Sequence, residues 1–213
     1  MGAIGLFGHF GSGNFGNEGS LQAMLALLRR RLPEKNLVCI CAEPHAARRD
    51  HGLQSLPITW HSSSAAFQRL DRMLQRLPGA VADLAYKLRT ARGLDHLVIP
   101  GTGILDDFGA GPLGIPYGLF TWSLAARLAG VPITYASIGA GPIAHPLSRL
   151  LMKWAVALAD YRSYRDAISK DFVAGLGLDV ARDAVYPDIA FKLPRPEGAA
   201  ASLVPAKEPA HAA

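Results

Sequence analysis

The opening segment of the chain carries residues suited to binding an anion. Gly11, Ser12, Gly13 and Asn14 follow an apolar run that ends at Phe7 and precede a stretch with leucines at helical spacing. A glycine loop between a strand and a helix turns backbone N–H groups and the positive end of the helix toward a negative group. The sequence therefore predicts that these four loop residues bind an anion.

The same segment also fits the dinucleotide fingerprint G-x-G-x-x-G, which Gly16 completes. Glu43 lies just past the second predicted strand, where an acid that binds a ribose is expected. An NAD-binding oxidoreductase domain is therefore one interpretation, and it predicts that Glu43→Ala abolishes NAD binding. Another interpretation is that these glycines have a structural role only and permit tight turning and close helix packing.

Two later glycine segments also follow apolar strands. Gly101, Thr102 and Gly103 come directly after one predicted strand, and Gly139 and Gly141 come after the next. Ligands of open α/β sheets bind outside the carboxyl ends of the strands. Three glycine-bearing strand ends therefore predict one shared cleft, which these five residues line.

Charged residues stand beside the same strand ends. Asp106 or Asp107 could orient a hydroxyl, but either fits a helix cap equally well. Arg165 carries a fixed fork of donors that matches a carboxylate or a phosphate, and a salt bridge at the sheet edge is its alternative role. Asp166 is placed to cap the next helix, whereas Asp188 either faces the cleft or caps a turn.

The elements that position these residues alternate along the chain. The predicted strands are Ala3–Phe7, Leu37–Cys41, Leu56–Thr59, His96–Ile99, Ile133–Ser137, Arg162–Tyr164 and Val185–Tyr186. The predicted helices are Ser20–Arg31, Ala65–Leu77, Ala80–Arg92, Tyr117–Leu128, Leu147–Ala159 and Ala167–Leu176. This alternation predicts a Rossmann-like, doubly wound α/β domain with a mainly parallel sheet over residues 1–193.

Proline and glycine mark two further boundaries. Pro78 and Gly79 are predicted to separate the two central helices, because proline disfavours helix before it and glycine ends helices readily. Residues 194–213 contain four prolines and seven alanines with few large apolar side chains. Such a segment buries too little surface to offset its ordering entropy, so it is predicted to be a disordered tail or linker.

Composition narrows the classes of function. The net charge is +5, from 22 basic and 17 acidic residues, and the arginines are scattered without interleaved aromatics, which argues against nucleic-acid binding. No apolar run reaches the roughly 18 residues of a membrane span, and no signal peptide is recognisable. Cys39 and Cys41 are expected to be core residues in a reducing cytoplasm, and neither a metal nor a cofactor is expected.

Five segments, in order, resemble the motifs of the polysaccharide pyruvyl transferase family. The first is similar to G-x-x-G-x-x-N-x-G-D-E, through Gly8, Gly11, Asn14, Gly16, Asn17 and Glu18. The others are similar to G-G-G-x-L-x-D at 101–106, G-x-G-P at 139–142, R-D-x-x-S at 165–169 and D-x-A-F at 188–191. Each motif alone is weak, but five in order over residues 5–191 are a specific match.

The resemblance implies one half of a two-domain, GT-B-like fold with ligands between the domains. It implies transfer of a pyruvyl group from phosphoenolpyruvate to a sugar of a bacterial surface polysaccharide or its lipid-linked precursor. Arg165 would then clamp an anionic group of the donor, and the loop at 11–14 would offer N–H donors. Glu18 would face the sugar or brace the loop, and Glu18 and Asp106 are the candidate catalytic carboxylates.

Departures from the family pattern shape the remaining expectations. Asn17 replaces an Asp and Thr102 replaces a Gly, and family members are considerably longer. The chain is therefore expected to be an amino-terminal half that is truncated, split from a partner chain that supplies the second domain, or retained for something other than catalysis, and to be inactive by itself. The helices between residues 65 and 92 either pack on the sheet or rest on the inner membrane surface. The pattern is also compatible with half of a nucleotide-sugar glycosyltransferase or with a non-catalytic interaction domain.

Overall fold

The computed structural model describes residues 2–107 and 111–193, so the predicted tail at 194–213 lies outside the described residues. Seven parallel strands form one sheet in the order β3-β2-β1-β4-β5-β6-β7. They are β1 (Ala3–Gly8), β2 (Asn36–Cys41), β3 (Gln54–Pro57), β4 (Leu94–Pro100), β5 (Ile133–Ile138), β6 (Tyr161–Tyr164) and β7 (Ala184–Val185). The predicted α/β class and parallel sheet are confirmed.

Helices connect successive strands and cover both faces of the sheet. They are α1 (Phe15–Arg31), α2 (Pro44–His51), α3 (Ala65–Met73), α4 (Leu77–Ala91), α5 (Ile115–Leu128), α6 (Pro146–Ala157), α7 (Ala167–Gly175) and a final 3₁₀ helix (Ile189–Lys192). The neighbouring residues Leu6 and Phe7 of β1 are fully buried in two different core clusters, one on each face. Within the described residues, no helix is long and apolar enough to cross a bilayer.

The strand order reverses between β1 and β4. The chain runs outward from β1 to β3 on one side and from β4 to β7 on the other. The connections that leave β1 and β4 therefore turn away from each other, which opens a crevice at the carboxyl ends of these two strands. This crevice is where the predicted glycine segments converge.

Helix α1 begins five residues earlier than predicted, at Phe15 instead of Ser20. Its cap is Asn14, whose side-chain oxygen accepts hydrogen bonds from the N–H groups of Gly16, at 3.0 Å, and Asn17, at 3.2 Å. The two glycines of the first turns conceal the helical pattern in the sequence, and the asparagine cap offsets their low helix propensity.

Two other boundaries differ from the predictions. Helix α2 was not predicted, because only Ala47 of its eight residues is buried and its apolar pattern is short. The central helices separate at Gln75 and Arg76, which have φ of 53° and 64°, and not at Pro78 and Gly79. Pro78 instead lies in the first turn of α4, where its missing N–H costs no hydrogen bond.

A bulge shapes the end of β5. The register against β6 shifts between Tyr135 and Ile138, and Ser137 adopts a φ of 51°. The N–H of Ser137 donates to the hydroxyl of Ser163 instead of to the strand ladder, at 2.9 Å. The bulge bends the chain so that the segment after Ile138 runs across the end of β4.

Candidate functional site

A cavity of about 570 Å³ lies at the carboxyl edge of the sheet, between the segments that follow β1, β4 and β6. It is lined by His9, Ser12, Asn14, Gly16, Asn17, Gly101, Thr102, Gly103, Ile104, Asp106, Ile115, Arg165 and Asp188. Eight of these thirteen residues are among the site residues predicted from the sequence. The other five come from the same segments or, for Ile115, from the start of α5.

Glu18 braces the first glycine loop from within. One carboxylate oxygen accepts the N–H of Gly11 at 2.7 Å, and the other lies 2.9 Å from Nε2 of the buried His51. In the described part of the chain, neither Glu18 nor Gly11 is among the residues that line the cavity. The structure thus places Glu18 as a support of the loop, and the N–H of Gly11 already has an acceptor.

The amino terminus of α1 is also largely satisfied internally. The N–H groups of Gly16 and Asn17 donate to the side chain of Asn14. Among the described residues, the backbone N–H groups of Ser12, Gly13 and Asn14 have no internal acceptor. The loop that was predicted to bind an anion therefore offers these three N–H groups to a ligand, whereas that of Gly11 already has an acceptor.

The segment after β4 is held against α1 and the 3₁₀ helix. Gly101 has a φ of 39°, and a Cβ there would collide with Cγ2 of Ile189. Its carbonyl oxygen accepts a hydrogen bond of 2.7 Å from the buried hydroxyl of Ser20. Gly101 therefore serves both as a cavity wall and as the point where α1, the second motif and the fifth motif meet.

Thr102 has a buried hydroxyl that faces no partner within the described residues. The residue is 2% exposed and lines the cavity, and its carbonyl oxygen accepts the N–H of Gly139 at 3.0 Å. A buried hydroxyl without a hydrogen bond destabilises a protein unless something else provides the partner. This oxygen is therefore suited to bind a ligand in the cavity.

The second, third and fourth motifs are hydrogen-bonded to one another. Leu105 pairs with Ala140 as an isolated parallel bridge, in which Leu105 N–H donates to Gly139 and Leu105 carbonyl accepts from Gly141. The N–H of Ala140 donates in turn to the hydroxyl of Ser169, at 3.0 Å. The three motifs thus form one framework under the cavity.

Arg165 projects into the cavity from the end of β6. Its guanidinium lies directly over Gly139, where a Cβ would stand 2.6 Å from Cζ. Its Nε is 3.4 Å from the carboxylate of Asp166, and its Nη1 is 3.6 Å from that of Asp188. Both ion pairs are longer than a charge-assisted hydrogen bond, so the guanidinium retains donors for a ligand.

The acidic residues of the site have different tasks. Asp107 accepts the N–H groups of His145 and Ala144, which lowers the pKa of its carboxyl group. Asp166 caps α7, and the N–H of Ser169 lowers the pKa of its carboxyl group in the same way. The sequence left a ligand-facing or a capping role open for both Asp106 and Asp107. Asp107 has the structural role, and of these two residues Asp106 is the one that lines the cavity.

Asp188 combines the two roles that the sequence left open. One of its oxygens accepts the N–H of Ala190 at 2.9 Å, which caps the 3₁₀ helix. The other oxygen faces Arg165 in the cavity. Gly139 and Gly141 were predicted to line the cleft, but they lie behind Arg165 and beside Asp106, in the layer that supports the cavity wall.

Sequence reasoning missed His9 and Asn17 as cavity residues. His9 directly follows β1, and its carbonyl oxygen accepts the side-chain amide of Asn17 at 3.2 Å. The position of His9 after a predicted strand was the available signal. Glu43, the acid of the dinucleotide interpretation, directly precedes α2 without a capping hydrogen bond from its side chain, and its backbone packs against Gly11. It is not among the residues that line the cavity.

The cavity is suited to bind a small anionic ligand next to a second molecule that carries hydroxyl groups. It combines one guanidinium, two carboxylates, an imidazole and several amide and hydroxyl groups. In residues 2–107 and 111–193, no three His, Cys, Asp or Glu side chains cluster as metal ligands would. The groups that this cavity offers to a ligand are hydrogen-bond donors and acceptors and the charge of Arg165.

Comparison with known proteins identifies a family over most of the chain. The family model described as polysaccharide pyruvyl transferase matches residues 14–210. None of the curated protein sequences is a match.

Solved structures with the same fold are considerably longer than this chain. HepE of Anabaena, in complex with UDP, is 14% identical with a TM-score of 0.52, over 87% of this chain and 44% of that one. UDP-GlcNAc 2-epimerase of Methanocaldococcus jannaschii is 11% identical with a TM-score of 0.51, over 86% and 44%. The epimerase of Neisseria meningitidis, bound to UDP-GlcNAc, is 12% identical with a TM-score of 0.51, over 89% and 47%. The chain thus spans less than half the length of each, and these structures share its α/β fold.

Proposed function

The chain belongs to the polysaccharide pyruvyl transferase family, and from this premise we propose that it transfers the pyruvyl group of phosphoenolpyruvate to a saccharide of a bacterial surface polysaccharide or of its lipid-linked precursor. Family membership supports polysaccharide modification. The observation that carries the donor assignment is Arg165, whose guanidinium lies over Gly139 in the cavity with only long contacts to two acids.

The reaction sets the demands on the site. Two hydroxyl groups of the sugar add to C2 of the enol donor, and the bond from C2 to the phosphate oxygen breaks. The two hydroxyl groups lose two protons in the reaction. One proton is gained by the methylene carbon, which becomes a methyl group, and the other leaves with inorganic phosphate. The products are a cyclic ketal and phosphate, so the site needs an anion clamp, an acid and a base.

Arg165 supplies the anion clamp in this proposal. A guanidinium binds a carboxylate or a phosphate through two parallel hydrogen bonds. Asp166 and Asp188 lie too far from Arg165 to form such a pair of bonds, so its donors remain for the ligand. The N–H groups of Ser12, Gly13 and Asn14, in the loop that follows β1, would bind a second anionic group of the donor.

Polar groups around the clamp would handle the hydroxyls and protons. Asp106 is our choice for the carboxylate that accepts a proton from the sugar, and His9 and Asp188 are the other groups in reach of the cavity. The hydroxyl of Thr102, which has no partner among the described residues, would donate a hydrogen bond to an oxygen of phosphoenolpyruvate. Glu18 stays behind the loop and holds it through Gly11.

A second domain would complete the cleft. The solved structures that share the fold are about twice as long, and the cavity opens toward solvent at the sheet edge. We therefore propose that a further α/β domain, in the same polypeptide or in a partner chain, closes over the cavity and is required for turnover. The reaction would take place in the cytoplasm, where phosphoenolpyruvate is present.

The test is thermal unfolding of the purified protein with phosphoenolpyruvate. A ligand at about 100 times its Kd stabilises the native state by about 2.7 kcal/mol, which is a readable shift in the melting temperature. We expect this shift with the native protein and its loss in Arg165→Ala. Arg165→Lys is the matched variant, because it keeps the charge without the planar fork, and its shift should be strongly reduced.

Other ligands distinguish the competing functions. A shift with NAD that Glu43→Ala removes, and none with phosphoenolpyruvate, would replace the proposal by an oxidoreductase domain. A shift with a UDP-sugar alone would point to a nucleotide-sugar glycosyltransferase half. No shift with any of the three would contradict a donor site in this half and leave a non-catalytic interaction domain.

A further inference from the structure

An exposed apolar patch lies at the junction of α3 and α4. Its side chains are those of Leu70, Met73, Leu74, Leu77 and Val81, and three of them, Met73, Leu77 and Val81, are 72%, 66% and 69% exposed. Five large aliphatic side chains within twelve residues are more than the scattered apolar residues of an ordinary surface. This patch, called the α3–α4 tip below, therefore needs an apolar partner.

Helix α3 packs loosely on the domain. None of its nine residues is buried, although its apolar residues fall on one face. Its contacts with the rest of the chain include an edge-to-face pair between Phe67 and Trp60, with ring centroids 5.7 Å apart. A helix with a distinct apolar face that the protein does not cover is typical of helices that lie in a membrane interface.

The charges around the tip are complementary to an anionic surface. Arg69, Arg72 and Arg76 are exposed on its rim. Asp71 is the one acid between residues 65 and 81, and its carboxylate accepts the N–H of Gly79 inside the turn, at 2.6 Å. The exposed rim is therefore basic, which complements the negative surface potential of anionic lipids.

The tip lies at the same end of the sheet as the cavity. Helix α4 is joined to β4 by two residues only, so it runs antiparallel to that strand. At about 1.5 Å per helical residue and 3.3 Å per strand residue, the helix and the strand are of nearly equal length. The start of α4 is therefore level with the carboxyl end of β4, where Gly101 begins the cavity wall.

We propose that the α3–α4 tip docks on an anionic phospholipid bilayer, with its aliphatic side chains inserted between the headgroups and its arginines on the lipid phosphates. The cavity then opens close to the membrane surface, where an acceptor on a lipid carrier would be held. Binding to the bilayer is independent of the proposed reaction, because it requires neither the donor nor turnover.

The test is co-sedimentation of the protein with vesicles of phosphatidylcholine, with and without phosphatidylglycerol. We expect binding to the mixed vesicles that weakens as salt is added, and little binding to phosphatidylcholine alone. Leu77→Asp should weaken binding at least about tenfold, because it places a charge where an aliphatic side chain enters the lipid. The double variant Arg69→Glu with Arg72→Glu should lose at least about tenfold through charge reversal.

Matched controls come from the opposite end of the molecule. Leu128, at the end of α5, is 63% exposed, so Leu128→Asp is the same change at a similarly exposed site. Arg30→Glu with Arg31→Glu makes the same reversal of two charges at the end of α1. Both controls should bind vesicles like the native protein.

Three outcomes would overturn the proposal. The first is absence of co-sedimentation by the native protein, and the second is an equal loss in the tip variants and the controls. The third is a dimer in solution that Leu77→Asp converts to a monomer, without vesicle binding, since the tip would then be a contact between two copies of the chain. Circular dichroism of each variant distinguishes loss of binding from loss of fold.

Discussion

Arg165 and Gly139 are matched to each other at the centre of the site. The guanidinium occupies the space that any side chain at position 139 would take, with Cζ 2.6 Å from the place of a Cβ. Gly139 is therefore required for the position of the arginine and not for the flexibility of the loop. Gly141, two residues further on, has room for a Cβ at 3.7 Å from the nearest side-chain atom.

This difference predicts unequal effects of two alanine substitutions. Gly139→Ala should displace Arg165 and abolish the melting shift with phosphoenolpyruvate, whereas Gly141→Ala should retain most of it. The measurement is thermal unfolding of both variants with and without the ligand. Equal shifts in the two variants would show that the guanidinium does not need its observed position.

At the level of elements, a buried ion pair fixes α4 against α5. Lys87 is fully buried and donates to Asp83 at 2.6 Å and to the hydroxyl of Thr121 at 2.7 Å. Asp83 also accepts the N–H of Trp60, at 2.8 Å. Burial lowers the pKa of Lys87, and the nearby carboxylate of Asp83 opposes that effect. The pair thus anchors the segment that leads into α3, close to the proposed membrane surface.

Removal of one partner should be costly. Asp83→Ala leaves Lys87 buried without a counter-charge and frees the N–H of Trp60, so we expect a loss of about 3–5 kcal/mol in the free energy of unfolding. Asp95→Ala, which breaks the exposed pair with Lys35, should destabilise the protein far less, because solvent screens that pair. Urea unfolding of both variants checks the comparison, and similar losses would contradict it.

A second prediction at this level concerns β4 and β5. His96 on β4 bonds through Nε2 to the hydroxyl of Thr134 on β5, and burial lowers the pKa of His96 below 6.5, partly opposed by Asp160. As the pH falls, the unfolded chain therefore binds a proton at this histidine before the native protein does. The free energy of unfolding should decrease as the pH falls from 6.5 toward the lowered pKa of His96, and should become constant at pH values below that pKa. His96→Gln should reduce this slope in unfolding titrations between about pH 8 and 5. An unchanged slope would assign it to other groups.

For the whole molecule, the sheet order gathers residues that are far apart in sequence. The strand reversal between β1 and β4 brings Asn14, Thr102 and Arg165 to one cavity. The chain then returns after β7, and Ile189 of the 3₁₀ helix packs over Gly101. That return places Asp188 beside Arg165.

The packing of the returning segment is testable. Ile189→Ala should reduce the free energy of unfolding by about 1–2 kcal/mol, because it removes contacts with Gly101 and α1. Phe191→Ala lies in the same 3₁₀ helix at an exposed position and should change it by less than about 0.5 kcal/mol. Chemical unfolding compares the two, and a larger effect at Phe191 would contradict the observed packing.

The sequence alone determined the fold class, the family and the segments that meet at the cavity. Apolar runs alternating with helical patterns require a parallel sheet, and small residues after such runs mark strand ends, so Arg165, Thr102 and Asp106 were predictable from local pattern. The start of α1 and the existence of α2 were not, since Gly16 and the short polar stretch after Glu43 carry little periodicity.

Only the tertiary structure decided the role of each side chain. For Glu18 and Asp107 the sequence left both a ligand-facing and a supporting role open, and their partners His51 and Ala144 are brought to them by distant segments folding together. The different roles of the adjacent Asp106 and Asp107 depend in the same way on where the bulge in β5 directs the segment that carries Ala144. Hydrogen-bond partners and burial depend on contacts across the sheet, which periodicity along one segment does not encode.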